Sequence, residues 1–212
     1  MSRLVRSGLN ARLVRPGLNA LIFAGVFALL AGCASNPPAS STPAPAANQN
    51  QADTYNEYET TDAAVNFLGG SAETIAKVVD KAFADYGRPN AYIKGEEGGG
   101  AIVFGLRYGK GEFVSKSGEH RVVYWQGPSL GWDFGADAGR VFILVYNLPN
   151  SEQLFQRFPG VNGSLYFLGG IGMNYLRSDN IVLAPIRVGV GMRLGASVGY
   201  MSFTKEQSYN PF

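Results

Sequence analysis

From Ala91 onward, apolar side chains recur at every second position, and short clusters of turn residues cut the run into segments. No other feature limits the fold as tightly. A period of two gives strands with one buried face, and connections this short leave no room for the crossovers that parallel strands require. Candidate strands cover residues 102–108, 112–116, 121–125, 131–135, 141–146, 164–175, 181–187 and 188–203. The separators Gly109-Lys110-Gly111, Ser117-Gly118-Glu119, Gly127-Pro128-Ser129, Ala136-Asp137-Ala138-Gly139 and Ser178-Asp179-Asn180 have turn chemistry. In the last strand Val188, Val190, Met192, Leu194, Ala196, Val198 and Tyr200 share one face. Gly189, Gly191, Gly195 and Gly199 fall on the other, with Arg193 and Ser197 between them. Glycine in a strand marks a bend or a close backbone approach, so this sheet curls; Gly169, Gly170 and Gly172 bend the 164–175 strand in the same way.

Ahead of the strands the period changes. Ile75, Val78, Val79, Ala82, Phe83 and Tyr86 form one helical stripe, with Ser71 as N-cap, Glu73 in the first turn, Gly87 at the end and Pro89 beyond it. A weaker helical stretch runs from Asp62 to Leu68, and Asn150 caps a short helix expected over 151–158. The fold expected is mainly β: a small antiparallel β-barrel of about eight strands with one or two N-terminal helices packed against it. A content of 28 Gly, 13 Phe and 11 Tyr agrees with that class.

The N-terminus points to export. Arg3, Arg6, Arg12 and Arg15 precede an apolar stretch from Leu21 to Leu30, and Leu30-Ala31-Gly32-Cys33 closes it. Basic residues, a short apolar run and small residues at a cut site describe a secretory signal peptide. A cysteine directly after the small pair resembles the lipobox of bacterial lipoproteins, which implies a diacylated Cys33 as first residue of the mature chain. Ala34 in place of Asp after that cysteine favours the outer membrane over the inner one. The apolar stretch falls short of the ~20 residues of a membrane helix. Residues 34–60, rich in Ala, Ser, Pro, Asn and Gln, read as a disordered tether with a root-mean-square span of about 30 Å. The organisation expected is a signal over 1–32, a lipidated N-terminus and tether over 33–60, and a barrel domain over 61–212.

Charge and chemistry narrow the function. The signal removes four of 18 basic residues, so the 16 acidic residues outnumber those left and no basic field remains for nucleic acid. One cysteine and one histidine exclude an intramolecular disulfide, a Cys-based zinc site and a histidine cluster. Residues 127–131 match the letters of the hydrolase nucleophile elbow around Ser129, but that motif needs a strand, a sharp turn and a helix, plus a histidine base. His120 reads instead as a solvated hairpin residue, Asp137 as a turn residue, and Asp133 as the partner of a strand arginine such as Arg107 or Arg193. No cofactor is expected. Trp125, Trp132, Phe134, Tyr166 and Phe167 are the aromatic candidates for a ligand wall, with core filling as their other role.

Several runs resemble the proteobacterial envelope-integrity protein EipA family. They are Gly98-Gly99-Gly100-Ala101-Ile102-Val103-Phe104-Gly105-Leu106-Arg107-Tyr108-Gly109, Val123-Tyr124-Trp125-Gln126-Gly127-Pro128-Ser129, Val145-Tyr146-Asn147-Leu148, Gln156-Arg157-Phe158-Pro159-Gly160-Val161 and Leu183-Ala184-Pro185-Ile186-Arg187-Val188-Gly189-Val190-Gly191. The resemblance implies a periplasmic small β-barrel that supports envelope integrity, and it brings no catalytic residues. A shorter likeness to the Ysc84/SYLF lipid-binding domain rests on Tyr108-Gly109-Lys110-Gly111 and the Gly-Pro-Ser-Leu-Gly run at 127–131. The expected function is a non-enzymatic periplasmic lipoprotein, held to a membrane through Cys33, that supports the cell envelope by binding or scaffolding. A lipid- or glycolipid-binding barrel and an outer-membrane β-barrel are the alternatives.

Overall fold

The computed structural model describes residues 51–101, 104–130, 139–188 and 199–208. Two helices come first. α1 (Glu57–Leu68) starts at Asn56, whose side chain accepts from the Glu59 amide while the Glu59 carboxylate accepts from the Asn56 amide. This reciprocal capping box satisfies two donors that a helix start otherwise leaves unpaired. The helix therefore begins at Glu57, inside the stretch read as tether through residue 60. α2 (Ala72–Tyr86) is capped by Ser71 and closed by Gly87, as the sequence anticipates. Its stripe of Ile75, Val78, Val79 and Ala82 is wholly buried, and each larger side chain there contributes about 1.5–3 kcal/mol relative to exposure.

The strands are β1 (Ala91–Ala101), β2 (Phe104–Ser115), β3 (His120–Leu130), β4 (Gly139–Tyr146), β5 (Arg157–Pro159), β6 (Tyr166–Leu168), β7 (Ile171–Met173), β8 (Leu176–Ser178), β9 (Ile181–Val188) and β10 (Tyr200–Thr204). They form one antiparallel sheet in the order β5-β10-β3-β2-β1-β4-β9-β7-β6, with β8 also paired to β9. β8 takes the first half of β9 and β7 the second half. The ring closes where Gly160, just past β5, bridges Leu176 of β8, and where the Val161 amide donates to the Tyr175 carbonyl at 2.9 Å. Eight strands thus make the barrel, the number at which inward side chains just fill the interior. The β6–β7 hairpin leaves the ring and lies against α2.

β4 serves two cores at once. Its Val141, Ile143 and Val145 point into the barrel with Ile93, Phe113, Phe158 and Leu183. Its Phe142, Leu144 and Tyr146 point outward, under the helices, with Val182, Ala184 and Ile186 of β9. This is strand alternation with both faces buried.

Several expectations need correction. Gly109-Lys110-Gly111 is not a turn: it lies mid-strand and joins the expected 102–108 and 112–116 strands into β2. Gly127-Pro128-Ser129 lies within β3. The reason is close backbone approach rather than chain reversal, since a Cβ on Gly127 would lie 2.0 Å from the Tyr200 carbonyl oxygen. The 164–175 strand is a hairpin, β6–β7, turned at Gly169 and Gly170 with φ of 55° and 86°. The helix expected over 151–158 is a single 3-10 turn, Ser151–Leu154. β1 was not foreseen as a strand. The 131–135 strand and most of the 188–203 strand, with Trp132, Asp133, Phe134, Asp137 and Arg193, lie outside the described residues, as does Cys33.

Candidate functional site

The barrel interior changes character along its length. Ala91, Ile93 and Val145 fill it near the start of β1, whereas the inward row at Glu97 carries charge. Glu97 stands in register with Gly109 on β2 and Gly139 on β4. A buried carboxylate is costly unless charges and donors surround it, and here they do. Arg187 of β9 donates to Glu97 through Nε, with Nη2 3.4 Å from Oε2. Arg107 of β2 brings Nη1 to 3.4 Å from Oε1. Trp125 of β3 donates Nε1–H to Oε2 at 3.2 Å. Arg187 also donates to Oδ1 of buried Asn174 at 3.2 Å, in the two-residue step where β7 and β8 divide the edge of β9.

Burial alone pushes the Glu97 carboxyl up, but the charges of Arg187 and Arg107, with the hydrogen bonds from Arg187 and Trp125, outweigh it and hold the group below the usual carboxylate range. Glu97 therefore stays ionised near neutral pH. An acid–base catalyst wants a pKa near its working pH, so this cluster is arranged for charge pairing rather than proton transfer.

Glycines make room for Trp125. Its indole lies flat on the inner face of Gly109 and reaches toward Gly95, where an added Cβ would come within 2.4 Å of the ring. On the outer face of the same wall, strand alternation points Tyr108 and Lys110 of β2, Tyr124 of β3 and Glu96 of β1 toward solvent. With Gln207 and Ser208, beyond β10, and with Glu97, Gly98, Gly109 and Trp125 of the wall itself, they line a groove of about 270 Å³.

The aromatic candidates do not converge. Trp125 is buried in the barrel. Tyr166 packs against the helix-side cluster, and Phe167, its neighbour on β6, is exposed. Trp132 and Phe134 lie outside the described residues. Ser129 sits within β3, about 30 Å along the strand from His120, and not on the sharp turn where a nucleophile elbow places its serine. His120 opens β3, exposed, with Nδ1 2.9 Å from Glu112 Oε1. Among the described residues no group of three His, Cys, Asp or Glu side chains is placed to hold a metal ion. Sequence reasoning missed Glu97, Arg187 and Asn174. A usable signal existed: Arg187 interrupts an otherwise apolar strand at barrel-facing parity, which demands a buried partner.

A family model described as envelope integrity protein A matches residues 53–212. The chain belongs to the envelope integrity protein A family. This match is wider than the sequence runs that carry the resemblance, which lie within residues 98–191, and it takes in both helices and the last strand. Among solved structures, the chain is similar to a beta-barrel-like, uncharacterized protein from Brucella abortus, with 46% sequence identity, a TM-score of 0.69, and coverage of 76% of this chain and 99% of that one. No curated protein matches. The family name ties the chain to the cell envelope, and the neighbour shares the barrel-like fold.

Proposed function

We propose that this chain is a non-enzymatic periplasmic lipoprotein, anchored through Cys33 to the outer membrane, whose barrel supports envelope integrity by binding or scaffolding. Membership of the envelope integrity protein A family over residues 53–212 carries this reading. The Leu30-Ala31-Gly32-Cys33 run supports the anchor, since two acyl chains hold a protein stably where one does so only marginally. An ionised Glu97 locked between two guanidinium groups supports a structural role for the buried charges.

The outer-membrane barrel is disfavoured by the outward face of β1–β3. Lys94 pairs with Glu112 at 3.3 Å and Glu112 with His120, where a membrane barrel would present an apolar band to lipid. The helices, meanwhile, cover the outward face of β4 and β9. A lipid held inside the barrel is disfavoured by Phe113, Phe158, Ile93 and Leu183, which fill the interior.

Metabolic palmitate labelling tests the anchor: wild type takes up label and Cys33→Ala does not. Equal labelling of the two refutes it. Detergent sensitivity of a deletion strain tests the envelope role. Wild type restores resistance, and a deletion strain as resistant as its parent overturns the reading.

A further inference from the structure

The turn beside the barrel seam brings together two residues that react with each other. Asn162-Gly163 is the only Asn-Gly step in the 212 residues. The Ser164 amide donates to the Val161 carbonyl at 3.3 Å, and Gly163 takes a φ of 71°. Glycine at positive φ in the third position marks a type II turn. Both central residues are exposed. A Cβ placed on Gly163 would meet no described residue within 4 Å, so nothing shields its amide nitrogen from the side chain before it. Neither the Asn162 side chain nor the Gly163 amide is hydrogen-bonded to another described residue. Asparagines elsewhere are tied down. The Asn90 side chain donates to the Leu148 carbonyl at 2.7 Å, that of Asn150 accepts from the Gln153 amide at 3.2 Å, and that of buried Asn174 accepts from Arg187 at 3.2 Å.

We propose that Asn162 is a self-modification site whose conversion to isoaspartate loosens the barrel seam. The Gly163 amide nitrogen bonds to Asn162 Cγ and gives up its proton. The Cγ–Nδ2 bond breaks, and ammonia leaves with that proton, closing a succinimide. Water then opens the ring. Cleavage at Cγ leaves an aspartate, and cleavage at the main-chain carbonyl carbon leaves an isoaspartate, whose backbone runs through Cβ. Nothing is oxidised or reduced, and water is the only co-reactant. The longer backbone matters because both ends of the turn are fixed to one residue. The Val161 amide donates to the Tyr175 carbonyl at 2.9 Å, while Ser164 Oγ accepts from the Tyr175 amide at 3.0 Å and donates to the Val161 carbonyl at 2.6 Å. These bonds adjoin the Gly160–Leu176 bridge that closes the ring, and an added backbone carbon between Val161 and Ser164 pulls them out of line. Residues 162–164 also match the letters of an N-glycosylation acceptor. That route needs a transferase and an activated sugar, whereas ring closure needs neither. The inference stands apart from the envelope role, which it neither requires nor tests.

The test ages the full-length chain, purified in detergent, in warm and mildly alkaline buffer, beside a urea-unfolded sample of the same chain. Peptide mass spectrometry is expected to show a gain of one mass unit at position 162, with the Asn90 and Asn150 peptides of the folded sample unchanged. The gain should quicken as pH rises, because the deprotonated amide is the attacking species. Isoaspartyl methyltransferase should label the aged peptide. Hydrogen exchange of the aged chain should show the Val161 and Tyr175 amides losing protection while those of β4 and β9 keep theirs. Asn162→Gln, treated alike, should neither gain mass nor lose protection. Fresh Asn162→Asp, which carries the charge without the longer backbone, should keep both amides protected. An unconverted Asn162 in the folded chain, once the unfolded sample has converted, would overturn the proposal. So would isoaspartate that leaves the Val161 and Tyr175 amides protected. A sugar-sized mass at position 162 in protein taken from its own envelope would assign the turn to glycosylation and overturn it as well.

Discussion

Trp125 and Gly109 occupy one patch of barrel wall: a Cβ placed on Gly109 would lie 2.0 Å from Cε2 of the indole. The two residues stand opposite each other in the β2–β3 register, so neither can move away without breaking the ladder. Gly109→Ala is therefore expected to cost about 1–3 kcal/mol through overpacking. Gly139→Ala, where an added Cβ meets no described residue within 4 Å, serves as the near-neutral control. Urea denaturation midpoints check both. The double variant Gly109→Ala/Trp125→Leu should recover part of the loss, because residues in contact are not additive. A Gly109→Ala midpoint equal to that of Gly139→Ala would show that the wall is looser than this contact implies.

The buried charge cluster gives a pH dependence with a definite sign. Glu97 is held below the usual carboxylate range in the folded chain, whereas the unfolded chain protonates it at about pH 4. The stabilisation is thus complete above that pH and fades as pH falls toward the lower, folded value, because the unfolded state then binds more protons. Glu97→Gln removes one partner from a buried pair and is expected to cost about 3–5 kcal/mol at neutral pH. The difference in melting temperature between wild type and Glu97→Gln should narrow steadily as pH drops below about 4. A constant difference from neutral pH to strong acid would mean that the carboxylate charge does not stabilise the barrel.

Two tyrosines under α2 should respond in opposite directions to loss of their hydroxyl groups. The buried Tyr146 hydroxyl has no hydrogen-bond partner among the described residues, and burial drives its pKa far upward. Tyr146→Phe is expected to be neutral or stabilising by up to about 1 kcal/mol, since it removes an unpaired buried polar group. Tyr175 donates to Asp85 at 2.6 Å. Tyr175→Phe should lose about 1.5–3 kcal/mol, as befits a hydrogen bond to a charged group. Thermal melts of the two variants decide, and destabilisation by Tyr146→Phe would point to a bridging water at its hydroxyl.

Where the sequence follows simple rules, the fold was legible. Ser71 and Gly87 bound α2 as their types require, and the apolar runs of β4 and β9 were placed almost to the residue. β1 escaped because its barrel-facing positions 95, 97 and 99 are Gly, Glu and Gly. They are so because Trp125 from β3 and the guanidinium groups of Arg107 and Arg187 fill the space that apolar side chains on β1 would otherwise take. A period-two signal disappears when the neighbouring strands supply the core. The same cause turned Gly109-Lys110-Gly111 and Gly127-Pro128-Ser129 into apparent turns, since a local reading does not separate a glycine that reverses the chain from one that yields to a neighbour. A small barrel of about eight strands is what the candidate strands and the family resemblance imply, but the seam that closes it, between Gly160 and Leu176, depends on a bridge that no local pattern encodes. Of the site, Trp125 was singled out, but its partner Glu97 was hidden in the glycine run that follows it.

The closed ring also governs how copies of this chain behave when crowded together. A row of bare amide and carbonyl groups along a sheet margin invites a second chain to add on. Here β5 and β8 cover each other, and the outermost strand beyond the ring, Tyr166–Leu168, is three residues long. Many copies gathered on one surface would therefore find little template for strand-by-strand polymerisation among the described residues, and could stay dense without fusing into fibres.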